Sequence, residues 1–314
     1  MSGVADLKGA DFLTLASLDE STILRLFGTA ASMKRDYAPY SASMRGKSAI
    51  LLFEKPSLRT RVSFEVGIWK LGGQAVYMDH SNARLGERES VTDYGKNLER
   101  WVSLIVARVF RHSVVAELAS ASGVPVVNAL CDLYHPCQAL ADYLTLWERH
   151  GRVKGLRVAY VGDGNNVCHS LMHGAAILGA TLVAVTPKGH GCDPRVVEEA
   201  RDLARRSGSG GRVEESNDPD AVAGADAVYT DVWVSMGESA HSSSERKKFL
   251  RYQVNEAMMA KAGPGAVFMH CLPAKRGQEV VDAVMDSGAS VVYEQAENRM
   301  HAQCALLHHM FAGV

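Results

Sequence analysis

The chain has 314 residues, 47% apolar and 22% charged, with 34 basic side chains against 35 acidic ones and a formal net charge of -1. That length suits about two domains, each able to bury its own core, and balanced charge without a dense basic block argues against a nucleic-acid partner. No apolar run approaches the roughly 20 residues that span a bilayer, the opening Met1-Ser2-Gly3-Val4-Ala5-Asp6 lacks the pattern of a secretion or transit signal, and the six cysteines (Cys131, Cys137, Cys168, Cys192, Cys271, Cys304) form no C-x-x-C pair, so reduced thiols in the cytoplasm are expected.

In chain order, Ser48 to Phe53 reads as a short buried strand. Leu58 to Leu71 reads as a helix, with Val62, Val66 and Trp69 at helical spacing before Gly72-Gly73 ends the run. Ser57 then stands at the N-cap. The first helical turn offers unpaired N-H groups and partial positive charge, so Ser57, Arg59 and Thr60 there make an anion site. The plainer reading is an ordinary capped helix with surface arginines. Further strands are predicted at about 75–79, 103–109 and 124–128, then a helix from Pro136 to His150. Gly151 marks a domain boundary.

Beyond it, strands are predicted at about 156–161, 181–186, 226–231, 266–270 and 290–293, with a last helix from Asn298 to Met310. Near-continuous apolar runs such as Leu104-Ile105-Val106-Ala107 suit strands covered on both faces. The expected fold is α/β, with two domains, each a parallel sheet flanked by helices: residues 1–150 and 151–297, the C-terminal helix 298–314 packing back on the first. Ser207 to Gly211 reads as a connector. The polar stretch Ser235 to Lys248 is either a surface segment or a lid over a bound ligand.

Ligands of open α/β sheets gather outside the carboxyl ends of the strands. The loops expected there are rich in polar groups: Arg108, Asp132 to Gln138, Gly162 to Asn166, Asp231 to Gly237, Cys271-Leu272-Pro273 and Glu297-Asn298-Arg299. Both domains are expected to direct them at a shared cleft. Each has a simpler reading. His135 before Pro136 suits a helix cap, and Cys271 suits either a buried small hydrophobe or a nucleophile. His270 and Cys271 point to opposite faces if the strand continues, which argues against a thiol-imidazole pair. His169 and His173 at i, i+4 resemble a metal pair without a third ligand. Gly162-x-Gly164-x-x-Val167 imitates a dinucleotide fingerprint but lacks its third glycine.

Taken together and in order, Ser57-x-Arg59-Thr60-Arg61, His135-Pro136-Cys137-Gln138, Asp231-x-x-x-Ser235-Met236-Gly237, His270-Cys271-Leu272-Pro273 and Ala296-Glu297-Asn298-Arg299 resemble the ornithine carbamoyltransferases over nearly the whole chain. The resemblance implies carbamoyl phosphate and L-ornithine as substrates, no cofactor, no metal, and a homotrimer or multiple of trimers. It assigns the phosphate to Ser57, the Leu58 N-H, Arg59, Thr60 and Arg108. Thr60, Arg108, His135 and Gln138 would meet the carbonyl oxygen, and Arg299 with the Cys271-Leu272 backbone the carbamoyl end. Ornithine would be held by Asn166, Asp231, Ser235 and Met236, with Asp231 and Cys271 near its δ-amine. Donors fixed on the carbonyl oxygen and the departing phosphate stabilise the transition state more than the ground state.

Two positions depart from the family pattern. Leu58 replaces a threonine but keeps the backbone N-H. Arg84 stands where relatives commonly have a glutamine that reaches a neighbouring subunit's site, and an arginine there adds phosphate affinity or marks another amine. A carbamoyltransferase for putrescine or an acylated ornithine, and a non-catalytic module binding a phosphate ligand, are the alternatives.

Overall fold

In the computed structural model, which describes residues 6–234 and 247–312, the apolar run Ser48–Phe53 is strand β1. With β2 (Gln74–Asp79), β3 (Leu104–Arg108) and β4 (Val126–Leu130) it forms a parallel sheet ordered β2-β1-β3-β4. Helices α1 (Glu20–Arg35), α2 (Leu58–Lys70), α3 (Val91–Leu98), α4 (His112–Ala121) and α5 (Pro136–His150) accompany it. The buried character of β1, β3 and β4 follows from their mostly apolar sequences, in which Asn128 of β4 and Arg108 at the end of β3 are buried polar exceptions, whereas the edge strand β2 is largely exposed. Between Ala107 and Arg108 the β3–β4 register slips, so that Ala107 faces Asn128 and Arg108 faces Leu130. This bulge re-aims the end of β3, where Arg108 lies.

The second sheet is also parallel and is ordered β7-β6-β5-β8-β9: β5 (Arg157–Val161), β6 (Thr181–Val185), β7 (Arg212–Ser216), β8 (Ala227–Thr230) and β9 (Val267–His270). Its helices are α6 (Asn166–Leu178), α7 (Pro194–Ser207), α8 (Glu256–Lys261) and α9 (Asp282–Met285), and α10 (Val292–Ala312) closes the chain. Apolar side chains of β5, β6, β8 and β9 pack with Tyr252, Val254, Met258, Val280, Val284 and Val292 in one core. The chain divides into two units, one running to Leu144 and resuming at Glu297, the other Thr145–Ala296.

Two elements differ from expectation. The run at 290–293 is not a strand: Ser290 makes a single bridge to Phe268, the Val291 N-H reaches the Phe268 carbonyl, and the chain turns helical at Val292. Three consecutive buried or half-buried residues mimic a strand because burial masks the period. The last helix therefore starts at Val292 and not at Asn298, and Arg299 stands inside it. Conversely β7, Arg212-Val213-Glu214-Glu215-Ser216, was not expected; among the described residues it pairs only with β6, at the edge of the sheet, so it needs few apolar residues.

Topology selects where ligands bind. In the first sheet the chain passes from β1 to β2 on one side and to β3 on the other, so the switch point lies at the carboxyl ends of β1 and β3. In the second, β6 and β8 flank β5, which places the switch at the ends of β5 and β8.

Candidate active site

At the first switch point, β1 runs through Glu54 to Ser57, which caps α2. The Ser57 hydroxyl accepts from the Thr60 N-H at 3.3 Å and donates to the Thr60 hydroxyl at 3.0 Å. Leu58 is exposed and Arg59 half-buried in the same turn. Thr60 is buried, and its hydroxyl oxygen accepts from Arg299 at 2.8 Å. The same guanidinium donates to Gln138 Oε1 at 2.5 Å, and the Gln138 amide donates to Asp142 at 2.7 Å. Residues far apart in the chain, Thr60, Gln138 and Arg299, thus form one buried network.

His135 belongs to the same cluster. Burial, followed by the positive charges of Arg299 and Arg108, holds its pKa well below the ordinary value. The imidazole is therefore neutral at neutral pH. The depression also reports a positive potential at the site, since two guanidinium groups that are each only 3% exposed act on this ring. Such a potential favours an anion, and a neutral imidazole can offer an N-H without charge of its own.

Glu54 organises the rim. Its carboxylate, 4% exposed, accepts from the Leu85 N-H at 2.8 Å and the Phe110 N-H at 2.7 Å, tying the loop after β2 to the loop after β3. Arg84, one residue earlier, lays its guanidinium over the Phe110 ring at 4.1 Å, and Lys55 lies over that ring at 4.3 Å. Arg84 thus stacks on its own chain.

In the second unit the chemistry centres on Asp231, which follows β8 and is 8% exposed. Asn165 caps α6, its side-chain oxygen accepting from the Val167 and Cys168 N-H groups and from the Tyr160 hydroxyl. Its amide donates to Asp231 Oδ2 at 2.8 Å. Asp231 Oδ1 accepts from the Val232 N-H at 2.8 Å and from the Cys271 thiol at 3.1 Å. Asn166 opens α6 beside this group and is half-buried. Ser235 and Met236, expected to hold the amino acid, and most of the expected lid lie outside the described residues.

The turn Cys271-Leu272-Pro273 is pinned from behind. Leu272 adopts a left-handed φ of 59°, uncommon for a side chain with a Cβ, and donates its N-H to His270 Nδ1 at 2.8 Å. That nitrogen is thereby an acceptor, so Nε2 carries the proton and donates to the fully buried Glu279 at 3.2 Å. Ligand atoms of Asp231, His270 and Cys271 lie within 4.8 Å of one another. Both imidazole nitrogens are engaged, however, which leaves His270 no lone pair for a metal or for the Cys271 thiol. His169 likewise accepts from the Asp193 N-H, and His173 stands 3.6 Å from Glu199.

Asn165 was expected among the polar strand-end residues but was given no site role, although the residue between a strand-end Gly-Asp-Gly and a helix is a natural cap; Glu279, nine positions from His270 along an irregular stretch, was missed and had no signal.

Two family models match the chain: "Aspartate/ornithine carbamoyltransferase, carbamoyl-P binding domain" over residues 10–148 and "Aspartate/ornithine carbamoyltransferase, Asp/Orn binding domain" over 154–310. An ornithine carbamoyltransferase of Shewanella oneidensis is 52% identical over 301 residues, covering 96% of this chain and 99% of the relative. The anabolic ornithine carbamoyltransferase of Pyrococcus furiosus is 46% identical over 314 residues, covering 99% of each chain. A solved structure of ornithine carbamoyltransferase from Pyrococcus furiosus superposes with a TM-score of 0.93 at 46% identity, covering 99% of this chain and 100% of that one. Sequence and fold agree: the chain belongs to the aspartate/ornithine carbamoyltransferase family.

Proposed function

We propose that the chain transfers the carbamoyl group of carbamoyl phosphate to the δ-amine of L-ornithine, giving L-citrulline and phosphate in the direction of arginine biosynthesis. The observation that carries this reading is the neutral His135 buried with Arg108 and Arg299 at the switch point of the first sheet. Ser57, the Leu58 N-H, Arg59, Thr60, Arg84 and Arg108 hold the phosphate, and Thr60, Arg108, His135 and Gln138 meet the carbonyl oxygen. Arg299 and the Cys271-Leu272 backbone hold the carbamoyl end. Asn166, Asp231, Ser235 and Met236 hold ornithine, whose δ-nitrogen is drawn toward the Asp231-Cys271 pair.

Only the neutral amine is nucleophilic, and the reference pKa of a lysine-like amine is about 10.4, so a proton must leave before or during attack. The nitrogen then bonds to the carbonyl carbon, negative charge builds on the oxygen facing the fixed donors, and the carbon-oxygen bond to phosphate breaks with its electron pair as the bonded nitrogen gives up a second proton to the departing phosphate. The scheme uses no metal or cofactor.

A homotrimer or multiple of trimers in the cytoplasm completes the reading. In support, Leu58, Val62, Val66 and Trp69 of α2 and Val76 and Met78 of the edge strand β2 are exposed, apolar surface that another copy would cover. All six cysteines are free, as in a reducing compartment. The test is product formation from carbamoyl phosphate with L-ornithine, putrescine, N-acetylornithine and L-aspartate in parallel. Citrulline formed fastest supports the reading. Faster turnover of another amine reassigns the substrate, and no carbamoyl product with any of them overturns the activity.

A further inference from the structure

We propose that Cys168 and Cys192 are a redox pair, a site of reversible disulfide formation that loosens the amino-acid half of the reaction. The effect on ornithine rests on the function proposed above; the formation of the bond does not. The two sulfurs are 3.4 Å apart, one in the first turn of α6 and the other in the loop that enters α7. Neither belongs to the substrate-binding residues. A disulfide requires about 2.05 Å between sulfurs, so a small local movement closes it.

The surroundings suit the chemistry. Cys168 is fully buried, and burial pushes its thiol up, whereas Cys192 retains 6% exposure and is pulled down by the Cys168 sulfur and by His169 beside it. Cys192 is therefore the thiolate that a small peroxide reaches first. Its sulfur attacks one peroxide oxygen, the O-O bond breaks, and the leaving hydroxide takes up a proton as water, giving a sulfenic acid. The Cys168 sulfur then attacks the Cys192 sulfur, the S-O bond breaks, and hydroxide leaves with the Cys168 proton as a second water. Two thiols and one hydrogen peroxide become one disulfide and two waters, and a dithiol reductant reverses the bond by exchange.

The link to function is short. The Cys168 N-H is bonded to Asn165 Oδ1, and Asn165 holds Asp231 through its amide. On the other side, the Gly164 N-H donates to the His190 carbonyl at 2.9 Å, and His190 Nδ1 stands 3.3 Å from Asp163. A Cβ at Gly164 would lie 2.4 Å from the Cys192 nitrogen, so the two loops touch along their backbones without slack. Every residue of α6 from Val167 onward is buried, which leaves the 190–193 loop as the part that moves. Drawing Cys192 onto Cys168 therefore presses on the turn that carries Asn165 and Asn166.

The experiment treats the intact protein with hydrogen peroxide, maps peptides without reduction, and measures both Michaelis constants before and after. We expect a peptide pair joined through Cys168 and Cys192, two hydrogen masses lighter and restored by dithiothreitol. KM for L-ornithine should rise about tenfold, the scale of one lost buried hydrogen bond, with KM for carbamoyl phosphate unchanged. Cys192→Ser and Cys168→Ala should each abolish the joined peptides and the KM change. Absence of the joined peptides under conditions that oxidise Cys271 refutes the pair. Joined peptides without a KM change refute the coupling, and an equal ornithine loss in Cys192→Ser assigns the sensitivity to Cys271. A protein inactive toward ornithine from the start overturns the proposed function while the peptide map still decides the bond.

Discussion

Replacing Arg299 with glutamine separates an electrostatic role from a structural one. The guanidinium, 3% exposed, donates to two neutral oxygens, Thr60 Oγ1 at 2.8 Å and Gln138 Oε1 at 2.5 Å. Each bond contributes about 1 kcal/mol net, and the shorter glutamine amide refills at most one of the two, so the loss of stability should be about 1–2 kcal/mol, read by urea denaturation. Removing a positive donor from developing charge costs far more in the transition state, about 3–4 kcal/mol, or roughly 100- to 1,000-fold in kcat/KM for carbamoyl phosphate. The variant also reports through His135, whose pKa is depressed first by burial, then by Arg299, then by Arg108. Without Arg299 the value should rise, yet remain below the ordinary one because burial persists, as followed by NMR titration of the ring. The sign for stability follows from proton counts. Below about pH 6.5 the unfolded chain takes up a proton that the folded site refuses, so this histidine's contribution to stability is complete above that pH and falls as the pH drops. The fall should be shallower in the variant. A folded protein with kcat/KM within about fivefold of the parent, or an unchanged His135 titration, would refute the electrostatic reasoning.

Asp231→Asn should lower kcat/KM for ornithine about 100-fold while KM for carbamoyl phosphate stays within about threefold, because only the carboxylate accepts from Asn165, Val232 and Cys271 together; equal losses for both substrates in steady-state kinetics would argue against the assignment. Glu54→Gln sets an amide N-H against one of two backbone donors, those of Leu85 and Phe110. It should cost about 2 kcal/mol in chemical denaturation and raise KM for carbamoyl phosphate, whereas an unchanged denaturation midpoint would show that the carboxylate is not what ties the loops. kcat/KM should climb with pH through neutrality because the attacking amine must lose a proton, and a flat profile from about pH 6 to 9 with chemistry rate-limiting would count against an amine nucleophile. Phosphate binding should raise the His135 pKa by offsetting Arg108 and Arg299, and an unmoved ring signal at saturating phosphate would place the anion elsewhere.

Local sequence determines a good deal here. Ser57 before Leu58 dictates a cap whatever surrounds it, because a hydroxyl in extended backbone meets the third N-H of the helix. Apolar runs such as Leu104–Ala107 dictate buried central strands, and their alternation with helices dictates parallel order. The expected motifs followed from these, since strand ends and helix starts are where polar residues serve chemistry. The signal fails at edges and at irregular turns. Among the described residues β7 pairs on one side only, so its polar sequence does not reveal it, and Val291-Val292 belongs to a buried helix start whose β-branched residues copy a strand.

What tertiary structure alone decides is which donors meet. Thr60, Gln138 and Arg299 are separated by up to 239 positions, and Asp231 lies 66 from Asn165 and 40 from Cys271. No spacing rule predicts such contacts, because they depend on strand order and on the β3–β4 bulge that turns Arg108. The lowered pKa of His135 is likewise a property of the assembled site: an imidazole is half-protonated near pH 6.5 in an open chain, and burial beside two guanidinium groups keeps it neutral to well below that pH. Sequence sets the kinds of groups available, through side-chain chemistry that acts over a few residues, and the folded chain sets their distances, on which hydrogen bonding and electrostatic potential depend.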